Sequence, residues 1–266
     1  GGRLGNQIIM SLALSSIAKK FNLYVDYGKW YNIIKSVGIY LFIGENKYIS
    51  TINLTDKNYF DIYNSEVLNT NLNAVDYFQS SKISHHIFEQ LNSNEYIDIF
   101  TKNNKYSSRY KTNNDCFIHI RLGDVARWNP GFHYYDTILE NINYDNLFIG
   151  TDSFNHHIIK KIKKKYKNVH LYNSSIEDTI QFGSTCKFVI LSYGTLSAVI
   201  GYLSFYSYVY CLKFCSKYAW DFNSKWECNM FQNKYSKIGN WIVVSESDDK
   251  SERIWKIGPS AEIQTL

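Results

Sequence analysis

The sequence predicts an α/β protein in two lobes, the second built on a parallel sheet. Three observations carry that expectation. Short β-branched or aromatic runs alternate with helical patterns through the second half of the chain. A polar stretch with no apolar period, Lys102 to Asn114, reads as a linker between the halves. Of the 266 residues, 45% are hydrophobic and only 20% charged, which supplies a core and excludes a disordered chain.

Taken in order, Ile8 to Lys20 carries apolar residues at helical spacing (Ile8, Leu12, Leu14, Ile17), and Leu23 to Asp26 reads as a strand. Ile39 to Ile43 and Tyr48 to Leu54 read as strands, and His85 to Leu91 as a helix. Beyond the linker come strands at Cys116–Ile120, Asn146–Ile149, Val169–Tyr172, Phe188–Leu191 and Tyr208–Leu212. Helices at Tyr134–Asn141, Phe154–Tyr166, Ser175–Thr185 and Thr195–Phe205 fall between them, with Ser174 or Ser175 as N-cap of the third. Strand and helix in regular alternation with short links argue a parallel sheet covered on both faces. The expected divisions are a first lobe over 1–114, a second over 115–240 and a tail over 241–266.

The net charge of +5 suits an anionic small ligand and does not demand nucleic acid. Five cysteines without a repeated C-x-x-C argue against a disulfide framework and for a reducing, cytoplasmic setting. Cys211, Cys215 and Cys228 match no standard zinc spacing, so no metal site is expected, and scattered buried thiols are the plainer reading. The longest apolar run, Phe188 to Leu212, is interrupted by Ser192, Gly194, Thr195, Ser197 and Gly201, which argues against a membrane span. No signal peptide is visible; the chain opens on Gly1, which leaves open an anchor or a first strand ahead of it. Six lysines from Lys160 to Lys167 surround the apolar stripe Ile158, Ile159, Ile162 and Tyr166. A solvated amphipathic face explains them, and peripheral contact with anionic lipid is the sharper alternative.

Three segments have the residue types that bind anions. Gly1-Gly2-Arg3-Leu4-Gly5-Asn6-Gln7 lies directly ahead of a helix, where glycines permit close backbone approach and free N–H groups face the ligand. A turn alone would also use such glycines. His119-Ile120-Arg121-Leu122-Gly123-Asp124 is a strand running out into a loop, and ligands of open parallel sheets bind at carboxyl ends of strands. His119 and Arg121 alternate onto one face, and an arginine there can grip a phosphate through two parallel hydrogen bonds. A core histidine beside an Arg121–Asp124 ion pair accounts for the same segment equally well. Ser192-Tyr193-Gly194-Thr195-Leu196-Ser197 is a hydroxyl-rich strand–helix junction, suited to phosphate contacts or, more simply, to a helix cap by Ser192 or Thr195. Together the three point to a two-lobed protein binding a phosphorylated small molecule.

The order GGRLGNQ, HIRLGD, YY, FIGTD and CKFVILSYGTLSAVIGYLS resembles the bacterial and animal alpha-1,2-fucosyltransferases and, more distantly, the wider fucosyltransferase superfamily. The resemblance runs from residue 1 to about 205 of the chain. It implies a GT-B-like architecture of two Rossmann-like lobes with parallel sheets and an interdomain cleft. It implies an inverting, metal-independent transfer of fucose from GDP-fucose to a galactoside-type hydroxyl of a glycan or lipid-linked oligosaccharide. In that scheme Arg121 takes the diphosphate, and His119 supports the donor site. Arg3, Gly5, Asn6 and Gln7 approach the donor from the first lobe. Ser192, Thr195 and Ser197 add phosphate contacts, and Asp152 lies toward the nucleoside. The family motif does not settle the general base; Asp124, in the loop beyond Arg121, is the candidate, and pairing with Arg121 or fixing that loop accounts for it at least as well. The sequence departs from the family at Leu122, where a second arginine is usual, and at Ala198-Val199, where a tryptophan pair is usual. Those departures motivate two alternatives: a nucleotide-sugar or glycan-binding protein altered in catalysis, and a transferase for a different donor.

Overall fold

In the computed structural model, which describes residues 2–124, 126, 129–212, 241–246 and 255–257, the chain divides into two units, Gly1–Asn104 and a second beginning at Lys105. Cys215 and Cys228 lie outside the described residues, while Cys116, Cys186 and Cys211 are buried free thiols.

The first unit is organised by α1 (Leu4–Phe21), which is apolar on nearly every face and buried along most of its length. It ends at Asn22, whose left-handed backbone (φ 48°) closes the last turn onto the Ala18 carbonyl. Around it lie α2 (Trp30–Ser36), β1 (Thr51–Leu54), α3 (Tyr59–Asn64), β2 (Asn71–Ala74), α4 (Ser81–Leu91) and α5 (Asn94–Asn103). The hydroxyls of Ser80 and Ser93 cap α4 and α5. β1 and β2 pair in parallel, Thr51 opposite Asn71.

Two strands expected here do not form. Leu23–Asp26 contributes one parallel bridge, Leu23 to Asn46. Ile39–Ile43 has no strand partner among the described residues, although Ile39 and Leu41 are buried. The physical reason is that side chains satisfy this backbone instead of a neighbouring strand. Phe42 N–H donates to Ser15 Oγ (2.8 Å), Tyr27 OH to the Phe42 carbonyl (2.7 Å) and Tyr96 OH to the Tyr40 carbonyl (3.1 Å).

The polar stretch read as a linker contains the division between the two units, at Asn104 and Lys105, and from Lys105 on it is packed within the second unit. After α5 a 3₁₀ turn (Ser107–Arg109) sends Arg109 onto Asp115, Thr185 and the Phe182 ring. Asn113 donates to the carbonyls of Arg109 and Thr185. Its polar residues bind the second unit's backbone and buried groups, which is why they carry no apolar period.

The second unit alternates as expected: β3 (Cys116–Ile120), α6 (Phe132–Leu139), β4 (Leu147–Thr151), α7 (His157–Lys165), β5 (Val169–Leu171), α8 (Ile176–Gly183), β6 (Phe188–Leu191), α9 (Thr195–Tyr202) and β7 (Tyr208–Leu212), followed by β8 (Trp241–Glu246) and β9 (Trp255–Ile257). Ser175 caps α8 by accepting from Asp178 N–H. The strands lie in the order β5-β4-β3-β6-β7-β8-β9, parallel except for antiparallel β9. β3 and β6, buried at every position, form the middle. The α/β class with parallel sheets therefore holds.

On α7, Ile158, Ile159 and Ile162 are buried, and the lysines project outward, Lys165 pairing with Asp136 and Glu140. Among the described residues no helix is long and apolar enough to cross a membrane.

Helix α8 packs on the sheet through Phe117, whose ring is fully buried between Gly150 and Gly183. A Cβ at Gly183 would lie 2.7 Å from that ring. Gly183→Ala is therefore expected to destabilise the fold by about 1–2 kcal/mol, the overpacking outweighing the gain in helix propensity. Urea unfolding checks this; an unchanged or raised midpoint would show that the ring has room to move.

Candidate functional site

The strand order reverses between β3 and β6: β4 and β5 extend one way from β3, and β6, β7 and β8 the other. In an open parallel sheet, such a reversal leaves a crevice at the carboxyl ends of the two strands, because their outgoing connections diverge to opposite faces. Chain following β3 supplies Arg121, and chain following β6 supplies Ser192 to Ser197.

The two ends are tied by a continuation of the ladder. Ser192 N–H donates to the His119 carbonyl (3.1 Å), and Arg121 N–H then donates to the Ser192 hydroxyl (3.1 Å), which replaces the backbone acceptor as the strands part. His119 is buried, with Nδ1 2.5 Å from Ser197 Oγ, and Ser197 Oγ lies 3.3 Å from Ser192 Oγ. Both serines therefore turn inward, as supports for His119 and the Arg121 backbone. Thr195, half-buried, opens α9. The N-cap is Gly194, so neither Ser192 nor Thr195 caps this helix.

Burial pushes His119 down to about 4, with the Arg121 charge adding to the shift. The folded state thus keeps a neutral imidazole that the unfolded chain protonates near pH 6.5. Stability from this group is complete above pH 6.5 and is lost as pH falls toward 4, by on the order of 3 kcal/mol. His86, lowered by burial in the first unit, adds in the same direction. Thermal melts from pH 7 to 4 should fall over that window, and His119→Asn should flatten much of the slope; a slope unaltered by the substitution would assign it elsewhere.

Arg121 leaves the sheet with 18% of its side chain exposed. Its Nη2 donates to both carboxylate oxygens of Asp124 (3.0 and 3.1 Å), so the ion pair anticipated as the plainer reading is present. Its Nε is buried with no hydrogen-bond partner among the described residues. The guanidinium lies against Gly194, at φ +115°, where a Cβ would stand 2.9 Å from Nη1 and 3.4 Å from Cδ. Gly194 is thus required both for its backbone angle and for the space it leaves. Sequence reasoning did not assign it to the site; a glycine just before a helix start, opposite an arginine-bearing strand end, is the signal.

Asp152, just beyond β4, holds the loop after Arg121. Its Oδ1 accepts from the N–H groups of Leu122 (2.7 Å) and Gly123 (3.0 Å), and its Oδ2 from Gly123 (3.1 Å). A Cβ at Gly123 would lie 2.8 Å from Asp152 Oδ2. Asn129, also absent from the sequence-based set, donates to the Arg121 carbonyl (3.2 Å) and to Tyr135 OH (2.9 Å). Tyr134 OH donates to the Leu191 carbonyl (2.8 Å), bracing the end of β6.

The remaining anticipated residues belong to the first unit. Arg3 is the exposed N-cap residue of α1, and Gly5 is buried in its first turn. Asn6 Oδ1 accepts from Gln79 Nε2 (3.0 Å), and Gln7 Nε2 approaches Met10 Sδ (3.9 Å). Gly2, at φ +93°, closes over Asn6, whose Nδ2 would stand 2.7 Å from a Cβ there. Among the described residues no group of three His, Cys, Asp or Glu side chains is placed to hold a metal ion.

These features define a doubly wound α/β unit with a cation and a helix start at its topological switch point, the place where open parallel sheets offer a crevice. No family model matches the chain, and no curated protein matches it in sequence. Among solved structures it is similar to the crystal structure of NodZ alpha-1,6-fucosyltransferase soaked with GDP-fucose, at 14% identity and a TM-score of 0.31, over 52% of this chain. The match spans about half of that protein, 53% of its chain. Likeness at that level is too slight to assign an activity.

Proposed function

We propose that the chain is an inverting, metal-independent glycosyltransferase that moves fucose from GDP-fucose to a galactoside-type hydroxyl of a glycan or lipid-linked oligosaccharide. The observation that supports this reading best is Arg121 at the β3/β6 switch point, largely enclosed, with a buried Nε that has no acceptor among the described residues. An unpaired buried donor is costly, and an anionic ligand would satisfy it.

In this reading the second unit binds the nucleotide, and the first serves the acceptor. The acceptor hydroxyl oxygen attacks the fucose C1 as the C1–O bond to the β-phosphate breaks; the electron pair leaves with GDP, and the hydroxyl proton passes to water or to the departing β-phosphate. Arg121 and the free N–H groups at the start of α9 stabilise the growing charge on that diphosphate. Thr195, the first residue of α9, adds a hydroxyl donor in this reading. Asp152 and Asn129 hold the loop that carries the guanidinium. Asp124, with both oxygens accepting from Arg121, acts as its counter-ion rather than as the base.

A second reading, nucleotide-sugar or glycan binding without turnover, is favoured by Leu122. That side chain is 3% exposed and brings no second cation to the phosphates. A donor screen by released nucleotide, with EDTA present, separates the readings. GDP release from GDP-fucose that needs an acceptor supports transfer. Release from GDP-mannose or a UDP-sugar instead would change the donor, and GDP binding without release would establish the second reading.

A further inference from the structure

Six of the eight residues from Lys160 to Lys167 are lysines, and the structure sorts them into two sets. Lys165 pairs with Asp136 and Glu140 of α6, and Lys161 Nζ lies 5.6 Å from the centre of the Phe132 ring. Those two are used by the fold. Lys160, Lys163, Lys164 and Lys167 are exposed and pair with no carboxylate among the described residues. Their spacing is i, i+3, i+4 and i+7. The first three therefore share the side of α7 turned away from the buried Ile158, Ile159 and Ile162, and Lys167 follows just past the last turn. The helix contains no acidic residue, so Lys160 stands as a like charge to both Lys163 and Lys164, an arrangement that destabilises a helix. A face that need only be wetted does as well with lysine and glutamate interleaved, which turns the same spacing into attraction. Here the repulsion is uncompensated within the chain, and a dense anionic surface would relieve it.

We propose that the Lys160–Lys163–Lys164–Lys167 face of α7 docks the protein on an anionic lipid bilayer by charge alone. Clusters of this size on a helix gain from the negative surface potential of such membranes, each lysine adding to the attraction. Lysine is a compact point charge suited to a diffuse sheet of headgroups, whereas arginine forks pick out single phosphates. Between Ile158 and Lys165 there is neither an arginine nor an aromatic ring, the groups with which nucleic acids are read and stacked. The apolar stripe cannot enter the acyl chains, because Ile158, Ile159 and Ile162 fill the core. Docking is therefore reversible and salt-sensitive, unlike that of a helix that inserts its apolar face. The inference does not depend on the transferase reading, although a docked protein would meet a lipid-linked acceptor on the surface that carries it.

The test sediments the full chain with vesicles of phosphatidylcholine alone and of phosphatidylcholine with about 30% phosphatidylserine, at about 0.1 M and 0.5 M salt. The chain is expected to bind the anionic vesicles at low salt, to leave them at high salt and to ignore the neutral ones. Each lysine of the face changed to glutamine should weaken binding about fivefold, so the quadruple variant loses more than about a hundredfold. The pair Lys163→Gln and Lys164→Gln, with an expected loss of about 25-fold, decides the matter if the quadruple variant fails to fold. A control with Lys29, Lys35, Lys47 and Lys57 changed to glutamine lowers the formal charge of +5 by the same four and should bind within about twofold of the parent. Equal losses in the two quadruple variants would reduce the effect to net charge and overturn the proposal. So would binding that survives high salt, no binding by the parent chain, or tighter binding to duplex DNA that is lost with the same lysines. GDP-fucose turnover with a soluble galactoside should be unchanged in the α7 variants. Vesicle binding without turnover sinks the transferase alone, and turnover without vesicle binding sinks the docking face alone.

Discussion

Arg121→Ala is expected to lower the rate of the proposed fucosyl transfer by about 10²–10³-fold, the usual loss when a preorganised donor to developing charge is removed. Leu122 brings no second cation to compensate, so the leaving diphosphate would lose the guanidinium and keep the α9 start. The effect should fall on the chemical step in single-turnover measurements, with a smaller change in donor binding. Stability should change little, since the residue's only ion pair among the described residues is with the half-exposed Asp124. Arg121→Lys should recover only part of the rate, because an ammonium restores the charge and not the planar fork. Full activity in a folded Arg121→Ala protein would remove this residue from the mechanism.

The largest loss of stability is expected at the opposite end of β3. Asp115, with 8% of its side chain exposed, accepts from Arg109 Nη2 (2.6 Å) and Asn146 Nδ2 (2.8 Å). Arg109 in turn donates from Nε to Thr185 Oγ1 (3.2 Å) and stacks over the Phe182 ring at 4.5 Å. Asp115→Ala leaves a half-buried guanidinium and a half-buried amide without their shared acceptor. Removing one member of such a pair costs about 3–5 kcal/mol, and the partial exposure of Arg109 places this case near 3 kcal/mol. Arg109→Ala should cost a similar amount, and the double variant less than both together, because neither charge is then stranded. Urea denaturation of the three variants checks this. A loss under about 1 kcal/mol in Asp115→Ala would reduce the pair to a surface contact.

How far the fold could be read in the sequence depended on what satisfies each segment's backbone. In the second unit the strands bond to strands and the helices are short, so period, loop and cap signals agree, and Ser175 could be named as a cap from sequence. In the first unit Ser15, Tyr27 and Tyr96 bond the backbone of residues 40–42, which leaves an apolar run that looks like a strand and pairs with none. The stretch from Lys102 to Asn114 holds the division between the units, but that its polar residues bind buried groups could not be read, because the pattern only shows that they are polar. At the site, the choice of His119 and Arg121 needed only strand alternation and the exit of β3 into a loop. Strand order, and with it the switch point, is a long-range property absent from local pattern. The inward turn of Ser192 and Ser197, the use of Asp152 by two backbone amides and the platform at Gly194 depend on which loops meet.

The position of β3 between β4 and β6 also bears on how the chain is made. One neighbour follows directly, but the other emerges from the ribosome only after two further helices and an outer strand. Until Phe188–Leu191 arrives, a strand with every side chain destined for the interior has a bare edge, the kind of surface that holdase chaperones seize and that drives nascent chains to aggregate. Fragments ending between β5 and β6 should therefore be poorly recovered from cells, while fragments that include β6 should accumulate.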